Sequence, residues 1–114
     1  MSRADDLRIA DVREAAQQLA TLVADGREAF DTDWMRQRAT ERLLEIIGEA
    51  SNGLSDDFRA AHPDVPWRHI ANLRHLIAHQ YHRVDMAQLW AIAVDDIPRL
   101  LAELATREHG EPER

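Results

Sequence analysis

The sequence predicts an all-α fold, an antiparallel up-and-down helical bundle, and three observations carry that expectation. Apolar residues recur at three- and four-residue intervals through most of the chain, the period of a helix with one buried side. The connections between the long periodic stretches are mostly short, which makes successive helices antiparallel neighbours. At 114 residues the chain fits one domain with one core, taken here as about residues 5–106 followed by a polar tail at 107–114. It contains no internal repeat, low-complexity segment, Gly-rich phosphate loop or heptad run.

The first helix is expected over about residues 5–25, with Ile9, Val12, Ala16, Leu19, Leu22 and Val23 on one side and Gly26 stopping it. Residues 27–32 read as a turn or a single helical turn anchored by Phe30. Asp33 then offers an N-cap oxygen to a second long helix over 34–52. Its buried stripe is Leu43, Leu44, Ile46, Ile47 and Ala50, and Asn52-Gly53 ends it. Gly48 inside that stripe costs about 1 kcal/mol relative to Ala, so a close helix-helix approach is the expected reason for it. Glu49 reads either as a partner for an arginine or as a solvated glutamate.

Ser55-Asp56-Asp57 caps a short helix reaching Ala61, which His62-Pro63 ends because a residue before proline is pushed out of the helical region. Pro66 can stand in a first helical turn, so a third long helix is expected over about 66–81. Asp85 caps the last helix, which carries Leu89, Trp90, Ile92, Ala93, Ile97, Leu100, Leu101 and Leu104 inward. Pro98 falls inside it and predicts a kink or break near Asp95-Asp96. Trp34, Trp67 and Trp90 sit in apolar patterns that fit core or dimer interface, and His62 and His109 read as surface groups.

Composition excludes several chemistries. There is no cysteine, hence no disulfide, thiolate metal site or cysteine nucleophile. No apolar run approaches the roughly 20 residues of a membrane span, and no apolar leader is visible, so a cytoplasmic protein without a membrane partner is expected.

Charge is segregated. The formal net charge is -7, yet the run between Asp64 and Asp85 holds no carboxylate and carries Arg68, Arg74 and Arg83 with His69, His75, His79 and His82. An anion responds to this local potential rather than to the total. A guanidinium matches phosphate oxygens, and imidazole exchanges protons near neutrality, so the combination suits phosphoryl transfer at a phosphodiester.

Spacing sharpens the reading. With 14 Arg, no Lys and 6 His in 114 residues, about 0.7 occurrences of RxxxxH arise by chance. Requiring the chain's one tyrosine two residues after the histidine lowers that to below roughly 0.01. Arg74, His79 and Tyr81 satisfy the whole pattern. Positions five apart lie about 140° round a helix, so Arg74 and His79 do not share a face. Either the helix end distorts, or the arginine reaches round, or a second copy supplies the partner across a two-fold axis; a homodimer is the expected solution.

These residues resemble the HEPN superfamily, and specifically its HepT-like ribonuclease toxins. The resemblance rests on RxxxxHxY at Arg74, His79 and Tyr81, preceded by Pro66-Trp67-Arg68-His69-Ile70-Ala71 and followed by Val84-Asp85. It extends to Leu44-Glu45-Ile46-Ile47-Gly48-Glu49-Ala50 and to Asp96-Ile97-Pro98-Arg99-Leu100-Leu101. What it implies is a HEPN-like dimeric bundle acting as a metal-independent endoribonuclease without a cofactor, paired with a nucleotidyltransferase antitoxin of the MNT type. Arg74 and His79 would be catalytic in a cleft between protomers, and Tyr81 would receive AMP from the antitoxin. Arg68, His75, His82 and Arg83 would support RNA binding, the substrate being transfer RNA or mRNA. His75 stands where the family usually has Asn, a departure that bears on the orienting role of that position.

Two other readings use the same stretch. His75, His79 and His82 at i, i+4 and i+7 lie near enough to one helical face to ligate a transition metal. A non-catalytic module binding a nucleotide, RNA or a partner protein is the other, because fold alone does not fix function.

Overall fold

The computed structural model describes residues 2–73 and 85–110. Every regular element among them is helical: α1 Arg3–Val23, α2 Arg27–Asp31, α3 Trp34–Asn52, α4 Asp56–Ala61, α5 Trp67–Ala71, α6 Met86–Ala91, a π-helical turn Ile92–Asp96, and α7 Ile97–Gly110. The all-α expectation is met. No described helix is long and apolar enough to cross a membrane.

Ser2 caps α1 by accepting from the Asp5 N–H at 3.0 Å, so the helix starts two residues earlier than its apolar period suggests. Ile9, Val12, Ala16 and Leu19 are buried as expected, and they meet Leu43, Leu44 and Ile47 of α3 in the main core. Gly26 ends the connection after α1 with φ +97, a region that a side chain disfavours. α2 then delivers Phe30, which is fully buried.

Asp33 caps α3 through the N–H groups of Met35 at 3.0 Å and Arg36 at 3.2 Å. Arg36 closes the α1–α3 corner from the other side: its Nη1 donates to the Leu22 carbonyl at 2.8 Å, while Nη2 lies 3.3 Å from Asp25. A guanidinium at these last carbonyls of α1 meets the negative end of that helix. Gly48 is buried on the stripe, whereas Glu49 is exposed, which favours the solvated alternative for that glutamate. Trp34 is 67% exposed and so is not a core residue of the single chain; Trp67 and Trp90 are half-buried.

Two expectations are corrected. His62 is buried, not superficial: its Nδ1 lies 3.1 Å from the Phe58 carbonyl and its ring stacks on Phe58 at a centroid distance of 4.5 Å. The surrounding turn is locked by Trp67, whose indole N–H donates to the Arg59 and His62 carbonyls at 3.1 and 3.0 Å. Second, the helix begun after Pro66 does not run on unbroken: α5 ends at Ala71, Asn72 is a turn with ψ -8, and Leu73 is helical again. Asparagine disfavours a helix interior because its amide competes for backbone groups. α7 continues through Gly110, so the expected polar tail begins as helix.

Pro98 has the predicted effect with a specific form. It lacks an N–H and crowds the preceding turn, and the chain widens there: the Ile97 N–H reaches back five residues to the Ile92 carbonyl. This widened turn packs against α1 and leads into α7, whose Leu100 and Leu104 complete the core.

Candidate functional site

Two elements frame the approach to the basic stretch. Pro66 precedes the first turn of α5, and the Trp67 indole pins that turn to the end of α4, so Arg68 and His69 project outward while Ile70 is buried. Opposite, the π-helical turn ends at Asp96, whose Oδ2 lies 3.2 Å from His69 Nε2. The pair joins segments 27 residues apart and is part exposed, the side chains showing 50% and 30% of their surface. In the tautomer that carries its N–H on Nε2 the ring donates to this carboxylate.

Beneath this pair runs a groove of about 340 Å³, with Val65, Ile70 and Leu100 as its apolar floor. Asp64, His69, Asp96, Arg99 and Glu103 make its polar rim, beside Pro66. Three carboxylates against one guanidinium give it the opposite sign to the basic stretch that begins at Arg68.

Of the residues singled out by sequence, Arg68 is exposed on α5. Arg74, His75, His79, Tyr81, His82 and Arg83 lie outside the described residues, and with them the three-histidine metal reading. Among the described residues no group of three or more metal-ligating side chains comes together. Sequence reasoning counted His69 within the basic run and gave it no partner. Asp96 was visible only as part of the segment around Pro98; a contact across 27 residues has no local signature.

The family described as Ribonuclease HepT-like matches residues 12–106, which include the whole RxxxxHxY pattern. A protein of Thermococcus cleftensis named "Probable ribonuclease HepT" is 45% identical over 73 residues, 64% of this chain and 66% of that one. A candidate RNase of Methanocaldococcus jannaschii is 36% identical over 95 residues, covering 82% of this chain and 87% of its own. A candidate RNase of Caldanaerobacter subterraneus subsp. tengcongensis is 41% identical over 73 residues, with 64% and 65% of the two chains covered. The chain thus spans a little under two thirds of the Thermococcus and Caldanaerobacter relatives. No solved structure matches.

Proposed function

The chain belongs to the Ribonuclease HepT-like family of the HEPN superfamily, and from that premise we propose that it is a metal-independent endoribonuclease toxin working as a homodimer. The observation that carries the reading is the RxxxxHxY constellation of Arg74, His79 and Tyr81 within the matched residues, on a carboxylate-free run.

The chemistry follows from the residue types. Neutral His79 takes the proton of a ribose 2′-hydroxyl, and the oxygen attacks the adjacent phosphorus. The P–O5′ bond breaks and the leaving oxygen acquires a proton, which gives a 2′,3′-cyclic phosphate and a 5′-hydroxyl end. Arg74 stabilises charge developing on the nonbridging oxygens. Two histidines, one from each copy, can divide the base and acid roles. Arg68, His75, His82 and Arg83 meet the RNA backbone and fix the strand without reading sequence.

Control of this activity follows from Tyr81. AMP attached there by a cognate nucleotidyltransferase antitoxin brings bulk and a phosphate charge into the space where RNA lies, and excludes it by sterics and like charge.

The deciding experiment incubates the purified protein with transfer RNA and total RNA in chelator and maps the ends. Wild type is expected to cut, leaving cyclic phosphates, whereas Arg74→Ala and His79→Ala each lose at least about 100-fold in rate with unchanged helical content. Cleavage retained by both variants defeats the assignment. The second reading, a non-catalytic module that binds RNA or a partner, draws on His75 in the place where the resemblance leads one to expect Asn; RNA bound by wild type but never cut would favour it.

A further inference from the structure

The groove below His69 and Asp96 has no part in the chemistry just described. Its walls nevertheless hold polar groups over an apolar floor. Val65, Ile70 and Leu100 are each at most 5% exposed, so the floor is fixed by the core. Asp96 is engaged with His69, whereas the side chains of Asp64, Arg99 and Glu103 make no hydrogen bond or ion pair among the described residues.

The sign of the rim excludes the phosphodiester as occupant, since three carboxylates outweigh one guanidinium. A flat, uncharged group with both donors and acceptors on its edges fits such a mixture. Among the RNA bases, guanine presents two adjacent donors, N1–H and the N2 amine, to a carboxylate, and two adjacent acceptors, O6 and N7, to a guanidinium fork. Its faces suit the apolar floor. Position supports the same occupant: Ile70 precedes Arg74 by four residues, so at most about 15 Å of chain separates the groove from the first motif residue. That is within the span of a few nucleotides of one bound strand.

We propose that this groove holds an unpaired guanine of the RNA substrate, with Glu103 accepting from N1–H and N2 and Arg99 donating to O6 and N7, and so sets where the strand is cut. The inference rests on the ribonuclease reading for its biological use, though not for the binding itself. The π-helical turn belongs to the device, because it ends on Asp96 and starts the helix that carries Arg99 and Glu103. Widened turns of this kind recur at functional sites.

The test uses the full chain and single-stranded pyrimidine oligoribonucleotides carrying one guanosine, one inosine, which lacks the N2 amine, or one adenosine. Cleavage is expected at a fixed distance from guanosine, falling about 10- to 100-fold with inosine or adenosine. Glu103→Gln and Arg99→Ala should erase that preference while cutting an all-pyrimidine strand as wild type does. Cleavage indifferent to guanosine, or a preference surviving both substitutions, overturns the groove assignment and leaves the nuclease intact. A parallel polarisation measurement uses 2′-O-methyl strands that cannot be cut. Guanosine-dependent binding lost in Glu103→Gln supports the groove even if no RNA is cleaved, which would sink only the nuclease reading. Glu103-dependent capture of an oligo-arginine peptide, with no guanosine-dependent binding, assigns the groove to a basic protein segment and overturns the proposal.

Discussion

Asp5 and Ser55, 50 residues apart, are joined twice: Asp5 Oδ2 accepts from the Ser55 hydroxyl at 2.7 Å and Oδ1 from the Ser55 N–H at 2.9 Å. The same hydroxyl oxygen accepts from the Phe58 N–H at 3.1 Å, so one serine caps α4 and docks the first turn of α1. Asp5 is 2% exposed. Hydrogen bonds from the Ser55 hydroxyl and then its N–H hold the Asp5 carboxyl below the usual carboxylate range, against burial, which acts the other way.

That lowered pKa fixes the sign of a pH effect. The folded protein takes up the Asp5 proton less readily than the unfolded chain, so the stabilisation is complete above the unfolded value, about 3.9. It is lost as pH falls through the folded value. Asp5→Asn is therefore expected to lower stability at neutral pH and flatten its decline in acid. Urea unfolding at a series of pH values checks this; a variant with the wild-type acid slope contradicts it.

Phe30 fills the corner between α2 and α6, its ring centroid 5.4 Å from that of Trp90 at 50°. Because it is fully buried, Phe30→Ala is expected to cost about 3–5 kcal/mol. Phe30→Leu, which keeps much of the volume, should cost distinctly less. Denaturant midpoints at unchanged slope are the measurement.

Gly26 isolates a backbone effect, since a Cβ there would meet nothing within 4 Å although φ is +97. Gly26→Ala is expected to destabilise by about 1 kcal/mol or more through conformation alone, and Gly26→Asn by less. Equal stability of the Ala variant in thermal unfolding would show that the turn relaxes at no cost.

Tyr81→Phe separates the two roles assigned to the basic stretch. Cleavage should persist within a few-fold of wild type, because the proposed mechanism gives the phenol no part in proton transfer. Coexpression with the proposed nucleotidyltransferase antitoxin should no longer silence it. Intact mass is the readout: one added AMP on wild type and none on the variant. An AMP retained on the variant would move the modification elsewhere.

Local order was legible from local pattern. Asp33, Ser55 and Asp85 cap the helices that their oxygens suggested, and Leu44, Ile47 and Leu89 are buried where the helical period put them. Pro98 announced its irregularity in advance, although not that a wide turn would resolve it. Two contacts escaped the sequence: a local one, His62 with Phe58 four residues before it and Trp67 five residues after it, and a distant one, His69 with Asp96. Asn72 was overlooked because one weak helix former inside a strong period looks tolerable until its backbone departs. Arg74, His79 and Tyr81 lie outside the described residues and rest on spacing and charge, which report chemistry without geometry.

The wide turn at Ile92–Asp96 also acts as a phase setter. It accommodates one residue more than an ordinary coil, and one residue corresponds to about 100° of rotation. Everything downstream, Arg99 and Glu103 included, is angled by that surplus. Deleting a single residue from the turn should remove that surplus, with Pro98 still bending the helix, and so swing both side chains off the groove and Leu100 and Leu104 out of register with the core. The length of this short segment is therefore constrained more tightly than its composition.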